Sequence, residues 1–122
     1  MQQSSEFIGY RQQKLHILLI EDNQYDQQLF LEYLSNTVFA LSEVTTTEAL
    51  SEAEILKSQH KIDLIVADLN VADASYSEAI NRINRSFGHF PVVLLTGSKD
   101  LEMARQAIRS GIQTYLIKDV LN

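Results

Sequence analysis

The stretch LHILLIEDN, residues 15–23, runs through mostly apolar positions and then reaches two acids. A nearly continuous apolar run of this length is typical of a strand that is buried on both faces of a parallel sheet. The polar turn after it leads into QYDQQLFLEYLSN, in which apolar side chains recur at helical spacing. Glu21 and Asp22 are therefore predicted to lie at the carboxyl end of a buried strand, just before a helix.

The same alternation of short apolar runs and helix-period segments continues along the chain. Strands are predicted at 15–20, 38–44, 62–67, 92–95 and 112–118, and helices at 24–36, 46–59, 75–87 and 99–110. The second strand, VFALSEV, is the least uniformly apolar and is expected at an edge of the sheet. Thr46 or Thr47 is predicted to cap the second helix, and Gly88 and Gly111 to follow the third and fourth helices. Five strands with four intervening helices predict an α/β fold with a doubly wound five-stranded parallel sheet.

Composition restricts the classes of function. The chain has 122 residues, a formal net charge of −6 and no cysteine. The acidic balance argues against nucleic-acid binding, which needs a basic surface to displace phosphate counterions. The absence of cysteine excludes disulfides and thiolate chemistry and is compatible with the reducing cytoplasm, the expected location. No apolar stretch approaches the roughly 20 residues of a membrane span, and residues 1–14 are predicted to be a polar lead-in to one domain over 15–122.

Residues with complementary chemistry stand at the ends of four predicted strands. Glu21 and Asp22 follow the first strand, Asp68 the third and Thr96 the fourth, and Lys118 ends the fifth. Each alone is commonly a cap or a surface residue, but the carboxyl ends of parallel strands share one edge, so together they favour a site. Clustered carboxylates suit an oxygen-ligated cation, Mg²⁺ or Mn²⁺, while the lysine and the hydroxyl suit a phosphoryl group. A carboxylate beside that group can attack it, and Asp68, on a central strand, is the candidate nucleophile.

These residues resemble the receiver domain of two-component response regulators, the CheY-like fold. The resemblance rests on the acidic pair in LLIEDN, the acid in LIVADLN, the hydroxyl in VVLLTG and the lysine in YLIKD, and it covers the chain from Leu15 onwards. It implies the strand order 2-1-3-4-5. It also implies that Asp68 accepts a phosphoryl group from a histidine kinase or a phosphotransfer protein, so the domain would be an acceptor and not an enzyme in its own right.

The resemblance further implies how the site would hold a metal ion and the phosphoryl group. Asp22 would bind Mg²⁺ directly and Glu21 mostly through water, while Asp68 and the backbone carbonyl of Asn70 would complete the protein ligands. Lys118 would pair with Asp68 in the resting state and would contact a phosphoryl oxygen after transfer.

A conformational switch is also implied by the resemblance. Thr96 would shift toward the phosphoryl group, and Tyr115 would exchange an outward rotamer for an inward one. A half-buried aromatic residue on an edge strand is the alternative for Tyr115. The surface formed by the fourth helix and the fifth strand would then bind an output domain or a partner, and a homodimer is compatible with it.

Three positions depart from the family pattern. Ala72 and Tyr76 stand where a proline and a glycine are common in the loop after the phosphoacceptor, and Asp119 follows Lys118 where a proline is common. A trans bond is expected before Asp119, because a cis bond without proline costs about 2.5–4 kcal/mol. A family member would also continue into a fifth helix. We therefore expect the chain to be a fragment that leaves one face of LHILLI and YLIK uncovered.

Two alternatives are open at this point. The departures suit a pseudo-receiver, an interaction module that keeps the acids for structure and acts without phosphorylation. A phosphohydrolase with an aspartyl nucleophile is the other alternative. Such enzymes usually carry a second acid two residues beyond the nucleophile, where this chain has Asn70.

Overall fold

The computed structural model describes residues 14–71 and 73–121. Its strands are β1 (His16–Ile20), β2 (Glu43–Thr47), β3 (Leu64–Asp68), β4 (Val92–Thr96) and β5 (Thr114–Ile117). Its helices are α1 (Gln24–Ser35), α2 (Leu50–Gln59), α3 (Tyr76–Phe87) and α4 (Leu101–Ser110), with short 3₁₀ helices at Ser98–Asp100 and Lys118–Leu121. The predicted lead-in, apart from Lys14, and the substituted loop position Ala72 lie outside the described residues. None of the described helices has both the length and the apolar character needed to cross a bilayer.

The five strands form one parallel sheet in the order β2-β1-β3-β4-β5, which confirms the predicted fold and the edge position of the second strand. In the register, Asp68 follows the partner of Ile20 and lies opposite Leu95. Glu21, which follows Ile20, and Thr96, which follows Leu95, therefore reach the same edge of the sheet as Asp68. The sheet thus gathers the polar ends of its strands on one side of the molecule.

Helices α2, α3 and α4 cover one face of the sheet. The apolar side chains buried on this face are Leu18 and Ile20 of β1, Ile65 and Ala67 of β3, Leu94 of β4, Leu50 and Ala53 of α2, Ile80, Ile83 and Phe87 of α3, and Ala107 of α4. Burying one side chain of the larger kind is worth about 1.5–3 kcal/mol. This layer holds β1 and β3 in place at the centre of the sheet.

The opposite face carries α1 alone among the described α-helices. Phe30 and Leu34 of α1 pack on Ile17 and Leu19 of β1, and Leu121 of the last 3₁₀ helix joins them. Beside this layer lies an apolar groove of about 220 Å³. Its lining residues are Ile17, Phe30, Tyr33, Leu34, Thr37, Phe39, Leu64, Val66, Val93 and Leu116. Within residues 14–71 and 73–121, no helix covers this groove.

The prediction of a strand at 38–44 was wrong over residues 38–42, where the chain turns, and right at Glu43 and Val44, which begin β2. The Thr37 hydroxyl donates to the Leu34 carbonyl at 2.8 Å and accepts from the Phe39 amide at 3.1 Å, which folds the chain back directly after α1. Val38 is exposed as a result. The strand that pairs with β1 is instead EVTTT, whose valine and threonines are β-branched residues that suit a strand.

The predicted cap of α2 was also wrong. Thr46 and Thr47 lie in β2, and Ala49 occupies the N-cap position without a side-chain hydrogen bond. Asp73, from the loop after β3, accepts hydrogen bonds from the first two amides of α2, both at 3.1 Å. The cap is therefore supplied by a residue that is distant in sequence, which a local capping pattern cannot reveal.

Gly88 and Gly111 follow α3 and α4, as predicted. Gly111 has a φ of 124°, a conformation that favours glycine, and its amide donates to the carbonyls of Ala107 and Ile108. At Gly88 an added Cβ would lie 2.6 Å from the Asn84 carbonyl oxygen. These two glycines end the helices and return the chain to β4 and β5.

Candidate functional site

A chain of hydrogen bonds around Glu21 joins the end of β1 to the start of α1. Asn23 is the N-cap of α1, and its Oδ1 accepts from the Asp26 amide at 3.0 Å. The Asn23 amide in turn donates to Glu21 Oε2 at 3.2 Å, and Gln27 Nε2 donates to the Glu21 carbonyl at 2.6 Å. Glu21 is fully buried, while Asp22 beside it is half-buried.

Asp68 is the last residue of β3, and both of its carboxylate oxygens are engaged. Oδ1 accepts from the Asn70 amide at 3.0 Å, and Oδ2 accepts from Lys118 Nζ at 2.8 Å. Asp68 itself is only 6% exposed. The strand and its following loop therefore fix the carboxylate in one orientation, toward Lys118, the first residue after β5.

Lys118 lies among three carboxylates. Its Nζ is 2.7 Å from Asp26 Oδ2, 2.8 Å from Asp68 Oδ2 and 3.0 Å from Glu21 Oε1. Burial by itself would lower the pKa of Lys118, but the hydrogen bonds to Asp26 and Asp68 and the charge of Asp68 outweigh it. The pKa of Lys118 is therefore raised above its ordinary value, and the ammonium form is retained.

Asp26 belongs to this group, and the sequence analysis missed it. It is the third residue of α1, and only three residues separate the last residue of β1 from the first residue of α1. An acid in the first turn of a helix that starts so soon must lie near the strand end, which is the signal that could have found it. The helix N-terminus also favours a carboxylate there.

The charge on Glu21 is opposed by its surroundings. Burial and the negative charge of Asp68 raise the pKa of Glu21 to about 7, although Lys118 and the Asn23 amide act in the other direction. Glu21 Oε1 lies at ion-pair distance from Lys118 but outside hydrogen-bonding geometry. It is thus a buried oxygen without a hydrogen bond among the described residues, a state that is costly unless a donor or a cation reaches it.

The acids fit a divalent cation. One carboxylate oxygen from each of Glu21, Asp22 and Asp68 lies within 4.8 Å of the others. Anionic oxygen ligands of this kind suit Mg²⁺ or Mn²⁺, and a cation here would also compensate the orphaned Glu21 oxygen. Asn70 is held beside the cluster by the hydrogen bond from its amide to Asp68.

Within the described residues, neither Thr96 nor Tyr115 forms a hydrogen bond with the acids. Thr96 ends β4 and is buried, but its hydroxyl donates to the carbonyls of Gly97 at 3.3 Å and Asp100 at 3.4 Å. Tyr115 lies on the edge strand β5 and is 37% exposed. The structure therefore brings Glu21, Asp22, Asp68 and Lys118 together, while the Thr96 hydroxyl bonds its own turn and Tyr115 is partly exposed to solvent.

Two of the three departures from the family pattern, Tyr76 and Asp119, lie in the described residues. No cis peptide occurs in the described residues, as expected without a proline after Lys118, and Asp119 is exposed. Tyr76 begins α3 and is half-buried against the core. Burial raises the pKa of its hydroxyl, and Asp100 and the charge of Asp68 raise it further.

The comparison with known families gives the same assignment. The profile of the response regulator receiver domain matches residues 17–122. The chain belongs to this family. The two-component response regulator ORR8 of Oryza sativa subsp. indica is 26% identical over 109 residues, a match that spans 86% of this chain and 87% of ORR8. The transcriptional regulatory protein DpiA of Escherichia coli K12 is 26% identical over 108 residues, which are 87% of this receiver chain but only 46% of DpiA.

Solved receiver structures share the fold. The signal receiver domain of a Bacteroides fragilis response regulator superposes with a TM-score of 0.72 at 21% identity, over 85% of this chain and 84% of that one. The Mn²⁺-bound form of response regulator Rcp1 gives a TM-score of 0.69 at 25% identity, over 88% of this chain and 86% of Rcp1.

Membership in the family establishes the general role of the chain. Receiver domains are phosphoacceptor signalling domains of two-component systems and are not, in general, catalytic enzymes. They act with histidine kinases or phosphotransfer proteins and with output domains. The role of each residue in this particular site is a separate question.

Proposed function

We propose that this receiver domain takes a phosphoryl group on Asp68 from a phosphohistidine donor and that the transfer alters a protein-binding surface. The observation that carries the proposal is the position of Asp68, which contacts Lys118 at 2.8 Å and lies in one cluster with Glu21 and Asp22. An ammonium and a group of cation-binding acids around one carboxylate are what phosphoryl transfer to that carboxylate requires.

The transfer is a displacement at phosphorus. A carboxylate oxygen of Asp68 forms a bond to phosphorus, the bond to the donor's histidine nitrogen breaks, and the imidazole leaves with that electron pair. Lys118, held in its ammonium form, neutralises charge on a phosphoryl oxygen. When bound, Mg²⁺, or Mn²⁺ as in the Rcp1 structure, supplies further charge neutralisation for those oxygens. Asp22, Asp68 and the backbone carbonyl of Asn70 would hold the ion directly, and Glu21 would hold it mostly through water.

The switch would start at Thr96. Its hydroxyl makes two long hydrogen bonds, at 3.3 Å and 3.4 Å, to carbonyls of its own turn. Because such long hydrogen bonds are weak, breaking them to move toward a phosphoryl group would cost little free energy. Tyr115, which is 37% exposed, would then turn inward into the space that Thr96 leaves. The surface of α4 and β5 would change with it and bind an output domain, another partner or a second copy. The donor and these partners would act in the cytoplasm.

The proposal is tested by phosphorylating the purified chain with Mg²⁺ and a small phosphodonor such as acetyl phosphate. We expect a mass gain of one phosphoryl group in wild type and in the exposed control Asp119→Asn, and none in Asp68→Asn. Beryllium fluoride with Mg²⁺ should move amide resonances of α4 and β5 in wild type but not in Asp68→Asn, because it mimics the phosphoryl group on a carboxylate.

A folded wild type that responds to neither reagent would contradict the proposal and favour the pseudo-receiver. A mass gain that persists in Asp68→Asn would show that another residue is the acceptor. Rapid turnover of unrelated phosphomonoesters would instead revive the phosphohydrolase alternative.

A further inference from the structure

The three partners of Lys118 fall into two groups. Glu21 and Asp68 belong to the set of acids that can share a cation, together with Asp22. Asp26 is outside that set, although its contact with Lys118 Nζ, at 2.7 Å, is the shortest of the three. Lys118 thus has two counterions that a cation would also claim and one that it would not.

A bound dication would draw the oxygens of Glu21 and Asp68 toward itself. The ammonium of Lys118 would then be repelled by a nearby double positive charge. Its attraction to Glu21 and Asp68 would also weaken, because both carboxylates would be shared with the cation. The contact with Asp26 would remain, because Asp26 is fixed by the N-terminus of α1. Its amide is held by Asn23, and its side chain is only 22% exposed, so water screens the pair only in part.

We propose that Asp26 is a positioning residue for Lys118: it is the counterion that keeps the ammonium beside Asp68 when a divalent cation occupies the acids. The inference rests on the proposed function for the identity of the site but not on phosphoryl transfer itself. It assigns Asp26 a role that depends on its charge, which a purely structural helix residue would not have.

The test is a set of Mg²⁺ titrations of the unphosphorylated chain, followed by amide NMR or calorimetry. Asp26→Asn keeps the shape of the side chain and removes its charge, and it should weaken Mg²⁺ binding about 3- to 10-fold. Glu32→Gln, at an exposed position on the same helix, removes the same charge far from Lys118 and should change affinity less than about twofold. If Asp26→Asn does not fold, Asp26→Ser serves the same purpose.

Lys118→Met distinguishes positioning through the lysine from a general effect of charge. Removing the ammonium should strengthen Mg²⁺ binding in both backgrounds, and by several-fold more in Asp26→Asn than in wild type, since only there is the ammonium without its remaining counterion. Equal gains in the two backgrounds would overturn the inference, as would an affinity of Asp26→Asn that matches Glu32→Gln. A wild type that binds no Mg²⁺ would overturn it too. A wild type that binds Mg²⁺ but is not phosphorylated would contradict only the proposed function.

Discussion

At the scale of single residues, the site has more negative charge than its one ammonium can balance. Lys118 contacts the carboxylates of Glu21, Asp26 and Asp68, and Asp22 belongs to the same group of acids. No other cationic side chain in the described part of the chain forms an ion pair with these four acids. Burial opposes the charges of both Glu21 and Lys118, but only Lys118 has enough partners to outweigh it. Glu21 shares its single counterion, Lys118, with Asp26 and Asp68. The cost of burying charge therefore falls on Glu21, whose pKa is raised.

This cost predicts a pH dependence of stability in the metal-free protein. Because the pKa of Glu21 is about 7 in the folded state and ordinarily 4.5, the folded state holds the proton more tightly between these values. The proton on Glu21 stabilises the folded state fully below pH 4.5. This stabilisation is lost as the pH rises through about 7. Glu21→Gln removes the charge, so its advantage over wild type in the free energy of unfolding should grow by about 2 kcal/mol between pH 5 and pH 8.

Urea unfolding at several pH values, with a chelator present, measures this difference. The exposed residue Glu48 provides the control, since Glu48→Gln should track wild type across the range. An advantage of Glu21→Gln that stays constant with pH would show that Glu21 is ionised without penalty.

The residues that end strands could be found from the sequence because position alone decides where they go. Asp68 and Lys118 each terminate an apolar run, and parallel strands deliver their ends to one edge. Asp26 does not end a strand, so this rule misses it, and only the short connection from β1 to α1 indicates that it lies near the site. The partner of the Thr96 hydroxyl depends on the 3₁₀ turn after β4, which the sequence pattern does not specify.

At the scale of elements, the loop after β3 is anchored to the neighbouring helix. Asp73 caps α2 from this loop, and its carboxylate lies 3.6 Å from Arg82 of α3. Arg82 also pairs with Glu54 of α2 at 2.9 Å. The ion pairs are partly exposed and contribute little, whereas the cap satisfies two amides that have no other partner in the helix. The loop next to the phosphoacceptor is therefore tied to α2 chiefly through Asp73.

Removing this cap should destabilise the protein and loosen the start of α2. Asp73→Ala is expected to lower the free energy of unfolding by about 1 kcal/mol, the usual value for loss of an N-cap side chain. Asp73→Asn keeps one oxygen acceptor and should lose less. Hydrogen exchange at the amides of Leu50 and Ser51 should speed up in Asp73→Ala and to a smaller extent in Asp73→Asn. Equal losses in the two variants, or no change in exchange, would show that the cap is unimportant.

The strands differ in how well the sequence specifies them. β1, β3 and β4 are buried on both faces, so their continuous apolar runs mark them clearly. β2 is an edge strand whose residues EVTTT are largely polar, and the more apolar segment before it is a turn. The apolar content therefore indicated the segment before β2 and not β2 itself. At the edge of a sheet, hydrogen bonding to the neighbouring strand determines the strand more than burial does.

At the scale of the whole molecule, the two faces of the sheet are covered unequally. Three helices cover one face, and α1 with the last 3₁₀ helix covers part of the other in the described residues. The groove beside α1 is lined almost wholly by apolar groups, and Val93 and Leu116 on its floor are only partly buried. Apolar surface left in contact with water costs about 25 cal/mol per Å², so this face is where the fold has most to gain from a cover.

An open groove of this kind should bind a hydrophobic dye in the native state. We expect an anilinonaphthalene dye to gain fluorescence with the 122-residue chain at neutral pH while the chain still unfolds cooperatively, since the groove of about 220 Å³ can admit an aromatic ring. Leu116→Gln should reduce the signal because it places an amide on the groove floor. Ile55→Gln, at a position that is exposed and outside the groove, should leave it unchanged. A cooperatively folded chain without dye fluorescence would mean that another part of the chain or a second copy occupies the groove in solution, and sedimentation at the same concentration would separate those two cases.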